Sequence, residues 1–115
     1  MSDLSKLCGR LGNRAAAAVL NVRLAEIEHY HVEFGCHCGR TVIPPGKLLI
    51  HRHGPDRRLA DLINQARCEK CRVPFERVYL NETHNRIFHY GPEPGWSVQL
   101  VPFPGIEAAT GEAAG

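Results

Sequence analysis

The stretches CHCGR (residues 36–40) and CEKCR (residues 68–72) each place two cysteines within one short turn. A structural zinc ion is held by four ligands at the corners of a tetrahedron, and it favours thiolates. Two ligands close in sequence come from one turn, and a second turn supplies the other two. The spacing therefore predicts one Zn²⁺ ion bound by the two cysteine pairs, Cys36, Cys38, Cys68 and Cys71.

The ligand set and the geometry of the two turns leave alternatives open. His37 lies between the first two cysteines and could replace one of them as a ligand. Gly39 suits the sharp bend that follows a cysteine pair, whereas the equivalent place in the second turn holds Arg72. The competing interpretation is that all four cysteines are buried free thiols, but pairs flanked by polar residues are an unusual way to build a core.

The bulk composition fits a small metal-stabilised protein. The chain has 115 residues, which suggests one domain, and its 11 Gly, 8 Pro and 7% aromatic content limit the core. Neither a secretory pattern nor a long apolar run is present, so we expect a reducing cytoplasmic location, where cysteines more often bind metals than form disulfides. The fifth cysteine, Cys8, stands alone in a segment for which we expect no regular structure.

Hydrophobic patterning predicts an α+β fold around the cysteines. Residues 28–34 alternate as in a half-buried strand, and a short strand, TVI, follows the first turn. Helices are expected over residues 45–54 and 56–66, the second capped by Asp56, and a strand over residues 73–80.

The two ends of the chain complete the predicted organisation. Residues 1–27 form a partly helical segment, with Asn13 as a helix N-cap, and residues 21–29 fit either helix or strand. Residues 28–104 form a small zinc-ribbon-like domain with short helices inserted between two cysteine knuckles. It ends in a β-hairpin of residues 87–90 and 96–101, and residues 105–115 read as a disordered tail.

Basic residues concentrate around the predicted metal site. From Cys36 to Arg72 the chain carries eight basic and three acidic residues, a formal charge of +5, which four thiolates and Zn²⁺ reduce to +3. Such a surface can contact the phosphates of nucleic acid, although an ordinary solvated surface explains it equally well. The candidate contacts are Arg40, Lys47, Arg52, Arg57, Arg58, Lys70 and Arg72.

No pattern in the chain indicates catalysis. Four thiolates leave no open position on zinc, and the usual zinc-hydrolase, phosphate-loop and nucleophile motifs are absent. We therefore expect a non-enzymatic module that binds a macromolecule, with a metal-dependent enzyme as the weakest alternative. The other alternative is a protein-interaction adaptor that uses Trp96, although a tryptophan beside a hairpin more often packs on the core.

The segments CHCGR, RHGPDRRLADL (residues 52–62) and ARCEKC (residues 66–71) resemble a group of small bacterial zinc-ribbon proteins. The shared pattern is C-G-R after a knuckle, then R-x-G-P-x-x-x-L-x-x-L, then R-C-x-x-C, and it covers roughly residues 30–75. The resemblance implies a zinc ribbon with a helical insertion, and it places the ligand roles on the same four cysteines. It implies no activity.

Overall fold

The computed structural model describes residues 4–82 and 95–103. Four α-helices and four β-strands make up these residues, together with two 3₁₀ turns, Gly12–Ala15 and Leu24–Ile27. The helices are α1 (Leu4–Leu11), α2 (Ala16–Leu20), α3 (Gly46–His53) and α4 (Leu59–Gln65). The strands are β1 (His31–Gly35), β2 (Thr41–Val42), β3 (Arg77–Asn81) and β4 (Ser97–Val101). The fold is thus a mixture of helices and antiparallel sheet, as the sequence predicts.

The sheet has the strand order β2-β1-β3-β4, and every neighbouring pair is antiparallel. Val32 lies opposite Leu80, which lies opposite Val98, so one face of three strands is apolar. All three side chains are fully buried. Period-two alternation in these strands therefore positions a single hydrophobic face for the helices to cover.

The helices pack on that face as one buried cluster. Helices α1 and α2, with the 3₁₀ turn between them, lie against β4; α4 contacts α2; and α3 contacts the 3₁₀ turn Leu24–Ile27. Residues from both the first 27 positions and the sheet belong to the same core. The largest fully buried apolar side chains are Leu24, Ile27, Leu59, Leu80, Leu100, Val19, Val32, Val78 and Val98.

Between the two cysteine pairs, the structure confirms the predicted strand and both helices, with one wrong boundary. Helix α3 ends as expected at Gly54, whose φ is 94° and whose N–H donates to Ile50 at 2.8 Å. Asp56 does not cap α4. The N-cap is Arg58, and a bridge between Arg23 and Arg58 keeps the chain extended up to the first helical residue.

The N-terminal prediction is wrong in two places. Residues 4–11 form α1, in which Leu4 and Cys8 are buried, because the helix packs against β4. Asn13 is not a cap: it lies inside a 3₁₀ turn, and its side chain accepts a hydrogen bond from the N–H of Gln99 at 2.8 Å. Residues 21–29, ambiguous in sequence, contain the second 3₁₀ turn.

The predicted C-terminal hairpin is described in part. The strand expected over residues 96–101 is β4, and its described neighbour is β3. The other predicted strand, 87–90, and the tail, 105–115, lie outside the described residues.

Candidate metal centre

The first cysteine knuckle is the loop of the β1–β2 hairpin. Strand pairing brings Gly35 opposite Thr41, so the five residues between them must turn sharply. The N–H of Cys36 donates to the carbonyl of Arg40 at 2.9 Å, and the N–H of Gly39 donates to the carbonyl of Cys36 at 2.9 Å. These bonds hold the two sulfurs on the same side of a tight loop.

The second knuckle repeats this arrangement with one more residue. Here the N–H of Cys68 donates to the carbonyl of Val73 at 3.0 Å, and the N–H of Arg72 donates to the carbonyl of Cys68 at 2.7 Å. An antiparallel bridge between Arg67 and Pro74 closes the loop from outside. The C-x-x-C spacing is therefore accommodated by a slightly wider version of the first turn.

The sheet brings the two knuckles together. Gly35, just before the first knuckle, pairs with Arg77, just after the second. The N–H of Glu76 extends this pairing with a 3.0 Å hydrogen bond to the carbonyl of Gly35. An exposed ion pair between Arg40 and Glu69, at 3.3 Å, joins the knuckles from the solvent side.

This alignment gathers Cys36, Cys38, Cys68 and Cys71 into one cluster whose sulfur atoms all lie within 4.8 Å of one another. The Cys38 and Cys68 sulfurs are 3.9 Å apart, so they are not bonded as a disulfide. A tetrahedron with metal–sulfur bonds of ~2.3 Å has sulfur–sulfur edges of about 3.8 Å. The cluster is thus of the right size and composition to hold one metal ion at its centre.

Backbone N–H groups prepare two of the sulfurs for a metal. The N–H of Cys71, helped by that of Lys70, lowers the pKa of the Cys68 thiol to about 7, because a hydrogen bond to sulfur favours the thiolate. The N–H of Arg40 similarly lowers the pKa of Cys38. The hydrogen bond that Cys71 shares with Cys38 raises the pKa of Cys71 to about 12. A divalent ion would displace that proton.

The other two candidates near this chemistry lie outside the cluster. His37 is exposed, and its Nδ1 is 3.7 Å from the Cys36 sulfur, at the edge of the sulfur group rather than within it. Cys8 is fully buried in α1, and burial raises its pKa to about 11. The sequence predicts no regular structure around Cys8, whereas the structure shows a thiol packed in the core on a helix.

The structure distributes the candidate phosphate contacts among different surfaces. Arg40 and Arg52 line a cavity of about 320 Å³ beside the knuckles, and Arg57 and Arg58 line a second, more polar one of about 500 Å³. In the second cavity, Asp56 and Asp61 offset the arginines. Lys47, Lys70 and Arg72 are exposed and line neither.

Two residues of the first cavity that the sequence-based set omits bear on its chemistry. Arg67, exposed beside the second knuckle, joins Arg40 and Arg52 there, and Phe75 contributes an aromatic wall. Its ring centroid lies 5.1 Å from that of Phe34. In the sequence, these two residues are recognisable only as an arginine directly before a cysteine pair and a phenylalanine shortly after it. Neither position indicates a shared cavity unless the fold is known.

Trp96 is half-buried at the start of β4. Its ring meets Tyr30 edge-on at a centroid distance of 5.2 Å, and its Nε1–H donates to the Ser5 hydroxyl at 3.1 Å. The residue therefore ties α1 and the segment before β1 to the end of the sheet.

Comparison with known proteins adds no family assignment. Scans against protein-family models, curated proteins and solved structures each found no match for this chain. Among the residues that the structure describes, no helix is long and apolar enough to cross a membrane.

Proposed function

We propose that this protein is a non-enzymatic zinc-ribbon-like module whose structural Zn²⁺ supports a nucleic-acid-binding surface. The observation that carries the proposal is the four-sulfur cluster, which is sized for one tetrahedral ion and lies in a segment, residues 36–72, whose basic side chains are mostly exposed. The resemblance of residues 30–75 to small bacterial zinc-ribbon proteins agrees with this interpretation.

Zinc is the metal that this donor set favours. Four thiolates in a tetrahedral arrangement are typical of zinc and iron–sulfur chemistry, and isolated Cys₄ sites made of two knuckles are most often structural zinc. When bound, Zn²⁺ would crosslink two loops that backbone hydrogen bonds and the Arg40–Glu69 pair already bring together. An exposed ion pair alone contributes ~1 kcal/mol or less, so the metal would dominate the local stability.

A structural role follows from the ligands. A catalytic zinc keeps one position open for water and is usually held by three protein ligands, among them His or a carboxylate. Here four sulfurs fill the tetrahedron, and His37 lies at its edge. The cluster therefore supports a site that stabilises the fold rather than one that activates water.

The charge around the metal supports a polyanionic partner. Of the eight basic residues between Cys36 and Arg72, all except the half-buried Arg57 are exposed. Only three acidic residues lie in this segment, and Glu69 pairs with Arg40. The cysteine half of the protein thus presents a positive surface, which phosphates would neutralise with release of counterions.

The alternative of a protein adaptor centred on Trp96 has weaker support. The indole N–H already bonds to Ser5, and the ring already packs on Tyr30. A pull-down that depends on Trp96, made with a variant such as Trp96→Phe that keeps the packing, would favour this alternative.

Fluorescence anisotropy across a salt series tests the nucleic-acid proposal. Zinc-loaded protein should bind labelled single-stranded and duplex oligonucleotides with an affinity that falls steeply with salt. The double variant Lys47→Gln/Lys70→Gln removes two exposed charges of the basic segment from Cys36 to Arg72 and should reduce the salt slope by about two. Arg10→Gln/Arg14→Gln, an equal charge change in the segment against β4, is the matched control and should leave the slope unchanged. Absence of binding at low salt by folded, zinc-loaded protein would refute the proposal.

A further inference from the structure

The cavity of about 320 Å³ beside the metal centre has the features of a ligand site. It lies where β1, β2, α3 and α4 meet the two knuckles, and residues from each of these segments line it. Its volume is at the small end of the range for small-molecule pockets, so it suits one ring system rather than a long chain.

The wall of the cavity is apolar and partly aromatic. Phe34 and Phe75 contribute rings inclined at 50° to each other, with centroids 5.1 Å apart. Leu49, on α3, and Leu62, on α4, contribute aliphatic surface to the same cavity. A flat ring placed here would contact both aromatic and aliphatic carbon.

The rim of the cavity is cationic. Arg40 comes from the first knuckle, Arg52 from the last turn of α3, and Arg67 from the segment before the second knuckle. Among the described residues that line the cavity, Glu69 is the one carboxylate, and it pairs with Arg40 at 3.3 Å. Three guanidinium groups against one carboxylate leave a net positive charge over an apolar wall.

One of these arginines is held in place by backbone. The Nη1 of Arg67 donates to the carbonyls of Asn64 and Ala66, both at 2.8 Å. A guanidinium carries five N–H donors in a rigid plane, so these bonds fix its orientation and use only one of its nitrogens. A pre-oriented arginine is suited to an anion with several oxygens, such as phosphate.

We propose that this cavity binds one nucleotide, with the base against Phe75 and Phe34 and the phosphate against Arg40, Arg52 and Arg67. The inference extends the proposed function, since the nucleotide can be an unpaired residue of a nucleic-acid strand or a free mononucleotide. Both sources share the same chemistry: a flat heteroaromatic ring joined to a phosphate. Unpaired bases are recognised in this way by stacking on aromatic side chains combined with contacts from arginine.

The test first measures the binding of AMP, adenosine and inorganic phosphate to the zinc-loaded full chain by titration calorimetry. Fluorescence anisotropy then measures the binding of a short labelled single strand and of its duplex. AMP should bind about tenfold or more tightly than either of its parts, because ring and phosphate contribute together. Ala66→Leu fills the cavity without changing charge and should abolish AMP binding. Arg52→Gln should weaken AMP binding about tenfold, whereas Arg10→Gln, the same change at an exposed arginine of α1 that does not line the cavity, should have about a twofold effect or less. Metal content and circular dichroism establish that each variant is folded.

The outcomes separate this inference from the proposed function. If AMP binds to the native protein and Ala66→Leu abolishes this binding, the result supports a pocket that takes free nucleotides. If the native protein binds the single strand more tightly than the duplex, and Ala66→Leu loses this preference, the result supports a pocket that takes an unpaired nucleotide of a strand. If strands bind but neither Ala66→Leu nor Arg52→Gln differs from Arg10→Gln, the nucleotide pocket is refuted while nucleic-acid binding stands. If AMP binds but no strand does, the pocket stands and the proposed function fails.

Discussion

Gly39 and Arg72 occupy equivalent places directly after the two cysteine pairs, and both have a left-handed backbone, with φ of 96° and 65°. Each donates its N–H to the carbonyl of the first cysteine of its pair. Glycine adopts this conformation freely, whereas a residue with a Cβ is strained there by roughly 1–2 kcal/mol. The geometry of the knuckle is therefore kept in the second turn despite the unfavourable residue.

The effects of substitution at these two positions should differ in sign. Gly39→Ala should lower the free energy of unfolding of the zinc-loaded protein by about 1 kcal/mol, because it introduces the same strain. A Cβ at Gly39 would meet no atom within 4 Å, so the loss comes from the backbone alone. Arg72→Gly should be neutral or stabilise by up to about 1 kcal/mol, since relief of strain is offset by greater chain entropy in the unfolded state. Urea denaturation measures both, and equal destabilisation by the two variants would contradict the equivalence.

A second glycine pair tests the packing of α3. A Cβ on Gly46 would lie 1.9 Å from the carbonyl oxygen of Ile27, a backbone atom that cannot move aside easily. Gly46→Ala should therefore destabilise the protein by about 3 kcal/mol or prevent folding. Gly9→Ala, in α1, is the control. Its Cβ would make an ordinary 3.6 Å contact with the side chain of Trp96. Helix propensity predicts that this variant raises the free energy of unfolding by about 0.5–1 kcal/mol. Thermal unfolding of both variants checks the prediction, which fails if Gly46→Ala is tolerated as well as Gly9→Ala.

The polar network on the other face of the sheet should also contribute to stability. Asn81 is buried, donates to the buried carboxylate of Glu33 at 3.0 Å, and accepts from the Ser97 hydroxyl at 2.7 Å. Asn81→Leu should lower the free energy of unfolding by about 1–3 kcal/mol, because it leaves the buried carboxyl group of Glu33 without this donor. Ser97→Ala removes one hydrogen bond at a half-buried site and should cost about 1 kcal/mol or less. Denaturant titration that finds Asn81→Leu neutral would show that the network is not stabilising.

Burial of Cys8 predicts a pH dependence of stability. Its pKa is raised from 9.0 to about 11 in the folded protein, so the thiol stays protonated where the unfolded chain would lose the proton. The associated stability is present below pH 9.0 and is lost as pH rises towards about 11. The difference in unfolding free energy between the native protein and Cys8→Ala should therefore shrink over this window. A difference that stays constant between these pH values would contradict the raised pKa.

The sequence predicts the cysteine cluster and the central elements well because those signals are local. Cysteine spacing identifies all four members of the sulfur cluster, and alternation and helix stop signals place β1, α3 and the centre of α4. It misassigns α1, Asn13 and Asp56 because each depends on distant partners. Helix α1 forms against β4, Asn13 bonds to Gln99, and the start of α4 is determined by pairing with Arg23.

The charged cavity is harder to predict from the sequence than the helix boundaries, because it forms entirely through tertiary contacts. Arg40, Arg52 and Arg67 are separated in the chain by helices and a knuckle, and only the folded structure groups them with Phe75. Sequence spacing identifies the basic segment but cannot divide it into two cavities, one of which carries compensating aspartates.

Cobalt substitution tests the central claim most directly. Titration of the chelator-stripped, reduced protein with Co²⁺, followed by displacement with Zn²⁺, reports both the number of ions and the ligand set through the absorption spectrum. We predict one ion per chain with the intense thiolate bands and tetrahedral visible bands of a four-sulfur site, unchanged in Cys8→Ser and altered in Cys38→Ser. A spectrum with fewer than four thiolates, a higher coordination number, or no saturable binding would contradict the account.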